Sequence, residues 1–371
     1  KQETPSYFID ESQLIKNLEI LKSIKEKTNC KIYLALKAFA MPFSFKTISK
    51  TLDGCSASSI HEAKLAATEF KKKVSIYSPS YELNDIHKYC ELSHSITFNS
   101  CQQVERFQHI LKHKKQTINI GLRLNPEHTE VKKQIYNPCQ PFSRFGVTKR
   151  ELDQKIIKHI NGVLIHALCE SDADAFERLI TTVEKEFSSL LYQVDWLNIG
   201  GGQQLTHPNY NINKCCEIIN KLQNKYNLKV ILEPGEAVVY QSGILSTTVT
   251  DIIKNKKNIA ILNTSAIAHM PDVIEMPYRP NIIDAEHPNI YKQTYILGGC
   301  TCISGDIIGE YSFKNPLKIG DILLIKDMAQ YTMVKNTTFN GINLPNICYY
   351  DQNGIIHQVR SFGYQNYINR V

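Results

Sequence analysis

The amino-acid sequence predicts an α/β protein made of a (β/α)8 barrel, or TIM barrel, and a C-terminal mostly β domain. Over the first 235 residues, eight short apolar segments alternate with helix-like segments, which is the pattern of such a barrel. From about residue 236, alternation of apolar and polar residues replaces helical spacing. We therefore expect the barrel over residues 1–235 and a β-barrel or β-sandwich over residues 236–371, with a possible crossover segment at either terminus. A doubly wound open sheet is the alternative for the first part.

The spacing of apolar residues predicts the individual elements. An N-terminal helix is expected over residues 10–27, where Leu14, Leu18 and Leu21 share one face. The eight barrel strands are expected at residues 32–36, 52–55, 74–77, 95–98, 118–124, 162–167, 196–199 and 230–233. Segments between them, such as “SSIHEAKLAATEF”, “CQQVERFQHILKH” and “DADAFERLITTVEKEF”, have helical spacing. Strands of the second domain are expected in “GILSTTVTDIIK”, “NIAILNTS”, “QTYILGG”, “DILLIKDM” and “YTMVKN”.

Composition argues against several classes of protein. Hydrophobic residues make up 42% of the 371 residues, enough for a large core. The net charge is +7, but the lysines are scattered, and the runs “EFKKKV” and “KHKKQ” are typical of helix ends, so no nucleic-acid partner is expected. No apolar run is long enough for a membrane span, and “KQETPSYFID” lacks a signal region, so we expect a cytoplasmic protein. The 11 cysteines include no C-x-x-C pair, which argues against a disulfide framework and a zinc site.

Chemically reactive residue types fall where predicted barrel strands end. Lys37 follows the first strand in “KIYLALKAFA”, His166 the sixth, the glycines Gly200, Gly201 and Gly202 the seventh, and Glu233 the eighth. Taken singly, each has a structural explanation. The lysine could extend to water, the histidine could be a core residue, the glycines could form a tight turn, and the glutamate could cap the next segment. Barrel enzymes place their active sites at the carboxyl ends of the strands, so the shared position favours a functional site.

These residue types together fit a site for pyridoxal 5'-phosphate. A lysine in apolar surroundings has a lowered pKa, and its neutral amine can form a Schiff base with an aldehyde. Backbone N–H groups of the glycines can bind a phosphate. The imidazole of His166 can stack on an aromatic ring, and the carboxylate of Glu233 can keep a pyridine nitrogen protonated.

The chain resembles the alanine-racemase-like (fold type III) pyridoxal phosphate enzymes, in the branch of the ornithine and diaminopimelate decarboxylases. The resemblance runs nearly end to end, through “TPSYFIDESQLIKNL”, “YLALKA”, “GLRLNP”, “SRFGV”, “IGGG”, “EPGE” and “CTCISGD”. Within that branch the chain is most similar to the carboxynorspermidine/carboxyspermidine decarboxylase family. The motifs “HMPDVIEMPYRP”, “CTCISGDIIGEY” and “DMAQYTMVKNTTFNG” carry that likeness.

The resemblance implies a role for each matching residue. It makes Lys37 the Schiff-base lysine, His166 the ring-stacking residue and Glu233 the partner of the pyridine nitrogen. The remaining residues implied to contact the cofactor are Gly200, Gly201, Gly202 and Gly235 at the phosphate, Tyr331 near it, and Arg123 beside cofactor and substrate. Cys302, favoured over Cys300 by the “C-x-S-G-D” spacing, would protonate the product carbon from the neighbouring subunit. A homodimer with shared active sites is therefore expected.

Two departures from the branch point to a polyamine substrate. Glu236 follows “EPG” where related enzymes usually have arginine, and Ile303 follows the catalytic cysteine where the diaminopimelate type has an acidic residue. Both changes suit a substrate whose far end carries amines rather than a second amino-acid head. We expect Glu236, then Asp272, to bind those amines, with Glu275 and Asp306 as further candidates. The expected reaction is decarboxylation of carboxynorspermidine to norspermidine and of carboxyspermidine to spermidine.

Three alternatives stay open. A racemase of the same fold typically faces the ring nitrogen with arginine, so Glu233 argues against it. A diaminopimelate or basic amino-acid decarboxylase would keep every catalytic residue and differ only where the substrate's far end binds. A non-catalytic homologue that regulates polyamine metabolism would have lost cofactor residues, whereas this chain keeps Lys37, Glu233 and Cys302.

Overall fold

A computed structural model of the chain describes residues 3–112, 117–131 and 133–371. Helices and strands are numbered here in chain order. The strands are β1 Ser6–Asp10, β2 Lys31–Ala35, β3 Gly54–Ala57, β4 Lys73–Tyr77, β5 Ser95–Phe98, β6 Asn119–Arg123, β7 Gly162–Leu164, β8 Trp196–Asn198, β9 Lys229–Leu232, β10 Gly243–Asn255, β11 Lys257–Leu262, β12 Ala285–Glu286, β13 Gln293–Gly298, β14 Ile307–Phe313, β15 Ile322–Lys326, β16 Asn346–Tyr350 and β17 Ile356–Arg360.

The helices alternate with the first nine strands and are shorter afterwards. They are α1 Glu11–Thr28, α2 Pro42–Ile48, α3 Ile60–Leu65, α4 Ile86–Leu92, α5 Cys101–Lys112, α6 Ala173–Leu191, α7 Ile212–Tyr226, α8 Glu236–Val239, α9 Ala266–His269, α10 Asp272–Glu275 and α11 Tyr364–Ile368. A π-helical turn at Ala66–Phe70 extends α3, and 3₁₀ turns occur at Gln134–Tyr136, Gln154–His159 and Phe339–Gly341. Most of the predicted basic run “KHKKQ” lies outside the described residues. Within the described ranges, the structure has no helix with the length and apolar character that crossing a membrane requires.

The chain forms two compact units. The barrel unit comprises Asn17–Lys37 and Ser44–Val238, and the β unit comprises the residues up to Lys16, Ala38–Phe43 and Val239–Val371. The predicted division at residues 235 and 236 falls close to the last of these boundaries. The N-terminal segment up to Lys16 is a crossover of the kind that the prediction allowed, whereas the segment Ala38–Phe43 was not predicted.

The predicted barrel is confirmed: strands β2 to β9 form a closed barrel of parallel strands. Each strand pairs with the next in sequence, and β9 closes the ring on β2 through Lys31 and Ile231. All eight predicted strand segments lie in this ring, with ends shifted by at most three residues. Helices such as α6 cover the outside. Asp172 begins α6 by accepting a hydrogen bond from the Ala175 N–H at 2.8 Å, and the buried side of α6 carries Phe176, Leu179 and Val183.

The β unit is built on a nine-stranded sheet, so a mostly β second domain is also confirmed. The strand order is β12-β14-β13-β11-β10-β1-β16-β17, and β15 also pairs with β10. Strand β1 pairs antiparallel with β10 and parallel with β16. The partners of β1 lie more than 200 residues away in sequence, so local patterns could not assign this strand to the sheet.

One predicted strand of the β unit is wrong. The segment “YTMVKN” forms turns, beginning at Tyr331, whose φ of 51° is incompatible with an extended strand. The hydroxyl of Thr332 donates to the Met328 carbonyl, and the Thr332 carbonyl accepts from the N–H groups of Lys335 and Asn336. These local bonds satisfy backbone groups that a strand would pair across a sheet.

Candidate active site

The barrel unit brings the predicted cofactor residues to the carboxyl ends of its strands. Arg123 is the last residue of β6, and Glu233 directly follows β9. Lys37 and His166 each follow a strand by two residues, after β2 and β7, and the glycine triplet begins two residues after β8. Because the strands are parallel and closed into a ring, these positions share one face of the barrel.

Lys37 and His166 are in direct contact. The Lys37 Nζ atom lies 3.4 Å from the His166 Nε2 atom. Burial of the surroundings and the charge of Arg123 lower the pKa of Lys37 below its ordinary value of 10.5. Burial and the neighbouring charges of Lys37 and Arg123 lower the pKa of His166 well below 6.5. Both shifts favour the neutral form of the side chain relative to the same group in water, although Lys37 keeps solvent-accessible surface at the barrel mouth.

The glycine loop fixes the tautomer of His166. The Gly201 N–H donates to His166 Nδ1 at 3.2 Å, so the neutral imidazole carries its proton on Nε2, the atom that faces Lys37. Gly200 has a φ of 69°, and a Cβ atom there would lie 2.6 Å from His166 Nδ1. Only glycine fits this left-handed position against the imidazole.

Glu233 is held in place by Asn198, the last residue of β8. The Asn198 amide donates to Glu233 Oε1 at 2.7 Å, and its carbonyl oxygen accepts from the Gly200 N–H at 2.8 Å. Burial raises the pKa of Glu233 above its ordinary value, while hydrogen bonds from Asn198 and Ser56 lower it. The result is a carboxyl group of fixed orientation beside the glycine loop.

These hydrogen bonds reduce the number of backbone N–H groups that are candidates for binding a phosphate. The N–H groups of Gly200 and Gly201 already donate to Asn198 and His166. Gly202, with a φ of 92°, and Gly235 are the other glycines of that prediction. They are accordingly the better candidates for contacts to a phosphate.

Arg123 is buried, and a backbone carbonyl and two aromatic rings support its guanidinium group. Its Nη2 atom donates to the His166 carbonyl at 3.1 Å, and its guanidinium lies over the rings of Tyr77 and Phe145 at 4.7 and 4.5 Å. Only 4% of its surface is exposed. Arg123 thus positions His166 and places a positive charge near Lys37.

Glu236 has a histidine neighbour that the sequence did not indicate. His207 Nε2 lies 3.9 Å from Glu236 Oε1, a distance at the limit of an ion pair, and the histidine is charged only when protonated. Both side chains are part-exposed. Glu236 is therefore a part-exposed carboxylate in the barrel unit, with an imidazole at the limit of ion-pair distance.

In the β unit, Cys302 lies on the loop that joins β13 to β14 and is exposed, as is Cys300. Burial raises the pKa of the Cys300 thiol. The Cys302 N–H donates to the side-chain oxygen of Asn340 at 2.8 Å. Tyr331 has a left-handed backbone, and its N–H donates to the Ala38 carbonyl at 2.9 Å.

The other predicted amine-binding carboxylates have strong internal partners. Asp306 is 3% exposed and accepts from the backbone and hydroxyl of Thr301, and from Ser265, Ala266 and Ile267. Asp272 accepts from Lys335 Nζ at 2.6 Å, and Glu275 binds the same ammonium group. The structure therefore favours structural roles for Asp306, Asp272 and Glu275, because a substrate amine would have to displace these bonds.

Sequence reasoning missed several residues of the site. Asn198 lies inside a predicted strand, and the fact that it is a polar residue near the carboxyl end of an apolar strand could have identified it. Glu62 follows β3; burial raises its pKa, and the charge of Lys37 lowers it. His207 and Asn340 gave no local signal, since their partners are distant in sequence.

A barrel with a lysine of lowered pKa, a fixed imidazole and a carboxyl group at its mouth has the reactive groups of an enzyme that holds an aldehyde cofactor through an amine. The comparisons with known proteins define the class. A family model described as “Pyridoxal-dependent decarboxylase, C-terminal sheet domain” matches residues 135–329. The carboxynorspermidine/carboxyspermidine decarboxylase of Campylobacter jejuni is 40% identical to this chain, across 99% of this chain and 98% of that protein.

Two further relatives agree with this class. The carboxyaminopropylagmatine decarboxylase of Synechocystis sp. is 40% identical, across 99% of this chain and 95% of that protein. The crystal structure of carboxynorspermidine decarboxylase complexed with norspermidine, from Campylobacter jejuni, superposes with a TM-score of 0.92 at 38% identity and covers all of both chains. The chain belongs to the pyridoxal-dependent decarboxylases, in the family of the carboxynorspermidine/carboxyspermidine decarboxylases.

Proposed function

We propose that this chain binds pyridoxal 5'-phosphate through Lys37 and decarboxylates carboxynorspermidine and carboxyspermidine to norspermidine and spermidine. The observation that carries the proposal is the contact of Lys37 with His166 at the mouth of the barrel, where burial and the charge of Arg123 lower the pKa of the lysine. A neutral amine is the form that condenses with an aldehyde. The full-length similarity to relatives with this activity supports the choice of substrate.

The residues at the barrel mouth fit the cofactor. When bound, pyridoxal phosphate supplies an electron sink for the pair of electrons left on the substrate carbon as CO2 departs. The Gly200 position accommodates the His166 ring only because no Cβ atom is present, and this imidazole is the group to pack on the cofactor ring. Glu233, oriented by Asn198, is the group to hold a proton at the pyridine nitrogen. Gly202 and Gly235 are the candidate phosphate contacts.

Glu236 is the residue we propose for the distal amines of the substrate. Polyamines carry several positive charges, and the net charge of +7 works against their approach, so a local anion has to provide the attraction. Glu236 is part-exposed, and its internal partner His207 is 3.9 Å away. A substrate ammonium at hydrogen-bonding distance would be a stronger partner.

Cys302 is the proposed proton donor, acting in a homodimer. The reaction replaces the carboxylate with one proton at the same carbon, so an acid must reach that carbon. Cys302 is exposed, and apolar neighbours on the same surface, Ile303, Ile307 and Phe339, are 42%, 40% and 39% exposed. Such exposed apolar side chains around a reactive thiol suit a surface that a second copy of the chain covers.

A second candidate substrate is carboxyaminopropylagmatine. The relative with that activity is as similar to this chain as the carboxynorspermidine/carboxyspermidine enzyme is, at 40% identity. Its substrate ends in a guanidinium group, which can bind a carboxylate with two parallel hydrogen bonds. Glu236 could bind either an ammonium or a guanidinium, so the substrate's far end is the point to be tested.

A CO2-release assay decides among these substrates. The panel is carboxynorspermidine, carboxyspermidine, carboxyaminopropylagmatine, diaminopimelate, ornithine and arginine, each compared by kcat/KM. We expect the first two to be preferred. Preference for carboxyaminopropylagmatine would select the second candidate, and preference for an amino acid without a polyamine tail would overturn both. Loss of turnover in a Lys37→Ala variant checks the role of the lysine.

A further inference from the structure

The loop that carries Cys302 is held by two side-chain acceptors from different parts of the β unit. The first is Asp306, which accepts from the Thr301 N–H at 3.1 Å and the Thr301 hydroxyl at 2.6 Å. The second is Asn340, whose Oδ1 atom accepts from the Cys302 N–H at 2.8 Å. The backbone is thus fixed at both Thr301 and Cys302, and Asn340 makes the contact to the cysteine itself.

Asn340 is set firmly enough to act as a fixed support. Its backbone is left-handed, with φ 57° and ψ 13°, a conformation that asparagine tolerates better than most residues. The turn around it is closed by the Gly341 N–H, which donates to the Thr338 carbonyl at 2.9 Å. Arg370 donates to the Thr338 hydroxyl at 3.1 Å, which ties the turn to the segment after α11. These bonds hold the backbone of the turn, and the contact with the Cys302 N–H places the Oδ1 atom of the exposed Asn340 side chain.

An anchored amide at Cys302 restricts where the thiol points. The hydrogen bond fixes the peptide plane before the Cα atom of Cys302, which limits the direction of its Cα–Cβ bond. An exposed loop without this bond would sample several directions, and a proton donor acts only when it reaches the reacting carbon. The contact uses a neutral amide, so it orients the cysteine without adding a charge beside the thiol.

We propose that Asn340 is a positioning residue for the known reaction class, and that it acts by orienting Cys302. This inference rests on the proposed role of Cys302 as proton donor. Asn340 touches the backbone of Cys302 rather than the reacting atoms, so its effect should pass entirely through that cysteine. It differs from Asp306, whose five bonds also organise the start of α9.

The test uses variants that separate the acceptor from the backbone conformation. Asn340→Gly keeps the left-handed backbone and removes the acceptor oxygen, whereas Asn340→Asp keeps both. Asn289→Gly is the matched control, because Asn289 is also left-handed, with φ 67°, and exposed, and lies in the turn before β13. All are compared as purified holoenzyme at equal cofactor content.

The first readout is amide hydrogen exchange of the peptide that contains Cys302, followed by mass spectrometry. We expect Asn340→Gly to lower the protection of this peptide roughly threefold to tenfold, the equilibrium change for one lost hydrogen bond. Asn340→Asp and Asn289→Gly should retain wild-type protection. Unchanged exchange in Asn340→Gly would overturn the proposal, whatever the activity of the enzyme.

The second readout is a double-mutant cycle on kcat. Asn340→Gly should lower kcat roughly threefold to tenfold with little change in KM, and Asn340→Asp, which keeps the acceptor but adds a charge near the thiol, should recover part of that loss. In a Cys302→Ala background, Asn340→Gly should have no further effect, because its route of action is already gone. An equal loss in both backgrounds would assign Asn340 a purely structural role and overturn the proposal. If wild-type enzyme decarboxylates no substrate of the panel, the proposed function fails separately.

Discussion

Replacing Glu236 with glutamine is the most direct test of how the chain selects its substrate. The change removes one negative charge and keeps the size of the side chain and an oxygen acceptor. In the structure, the contact between Glu236 and His207 is long for an ion pair, with 3.9 Å between His207 Nε2 and Glu236 Oε1. Loss of that internal contact should cost little stability, since part-exposed pairs contribute about 0–1 kcal/mol. The effect on substrate binding should therefore dominate.

The expected size follows from the strength of charge-assisted hydrogen bonds. A contact between a carboxylate and a substrate ammonium contributes about 1.5–3 kcal/mol, which corresponds to roughly a tenfold to hundredfold change in affinity. Glu236→Gln should thus raise KM for carboxynorspermidine by about that factor. Glu236→Arg should be worse, because it adds repulsion to the lost attraction. The wild-type KM should also rise with ionic strength, since a part-exposed charge is screened by salt.

The assay is CO2 release over a range of substrate concentrations, with the absorbance of the bound cofactor measured in parallel. Glu177→Gln is the matched control, because it removes a carboxylate whose partner is Lys214 on the outer helices of the barrel unit. Cofactor absorbance should be unchanged in both variants. If Glu236→Gln alters neither KM nor kcat/KM, Glu236 is structural and the distal amines bind elsewhere.

Three further predictions follow from the same geometry. Because burial lowers the pKa of Lys37, folding at pH 7 either releases the lysine proton or buries its charge, and both cost free energy. Lys37→Met should therefore raise the Tm of the cofactor-free protein at pH 7. The gain should vanish as the pH nears 10.5, because the lysine of the unfolded chain is then neutral too. An equal gain at both pH values in thermal melts would contradict the lowered pKa. Mixing Lys37→Ala and Cys302→Ala chains should restore up to about a quarter of wild-type activity, because about half of the dimers formed by random exchange are heterodimers and each has one intact site of two. If activity does not recover after verified subunit exchange, each site is built within one chain. Asp306→Ala should lower the free energy of unfolding by about 3 kcal/mol or more, because it strands several buried donors, and a loss below about 1 kcal/mol in urea titrations would refute its structural role.

The barrel could be predicted from the sequence because each of its strands is a local signal. Parallel strands that are buried on both faces appear as short apolar runs, as in “KIYLA” and “SITF”, and every such run entered the barrel. Positions at the carboxyl ends of those strands then placed Lys37, His166 and Glu233 on one face. The positions of these three residues could be predicted from the order and direction of the strands alone.

The contacts between side chains could not be predicted in the same way. The support of Glu233 by Asn198 and of Cys302 by Asn340 depends on rotamers and on partners 35 and 38 residues away. The internal partners of Asp272 and Asp306 were equally invisible, so both were proposed as substrate ligands from their charge alone. The pairing of β1 with β10 and β16 leaves no trace in the local sequence, so the sequence predicted a possible N-terminal crossover segment but not this strand.

The chemistry of the site depends on how the buried charge of Arg123 is stabilised. A buried guanidinium needs partners, and a carboxylate would satisfy its hydrogen bonds but also cancel its field. Arg123 instead donates to the His166 carbonyl and lies over Tyr77 and Phe145, groups that stabilise the cation and leave its charge in place. That remaining charge lowers the pKa of both Lys37 and His166. Two aromatic residues beside one arginine therefore help to keep the lysine amine neutral, the form in which it can react with an aldehyde.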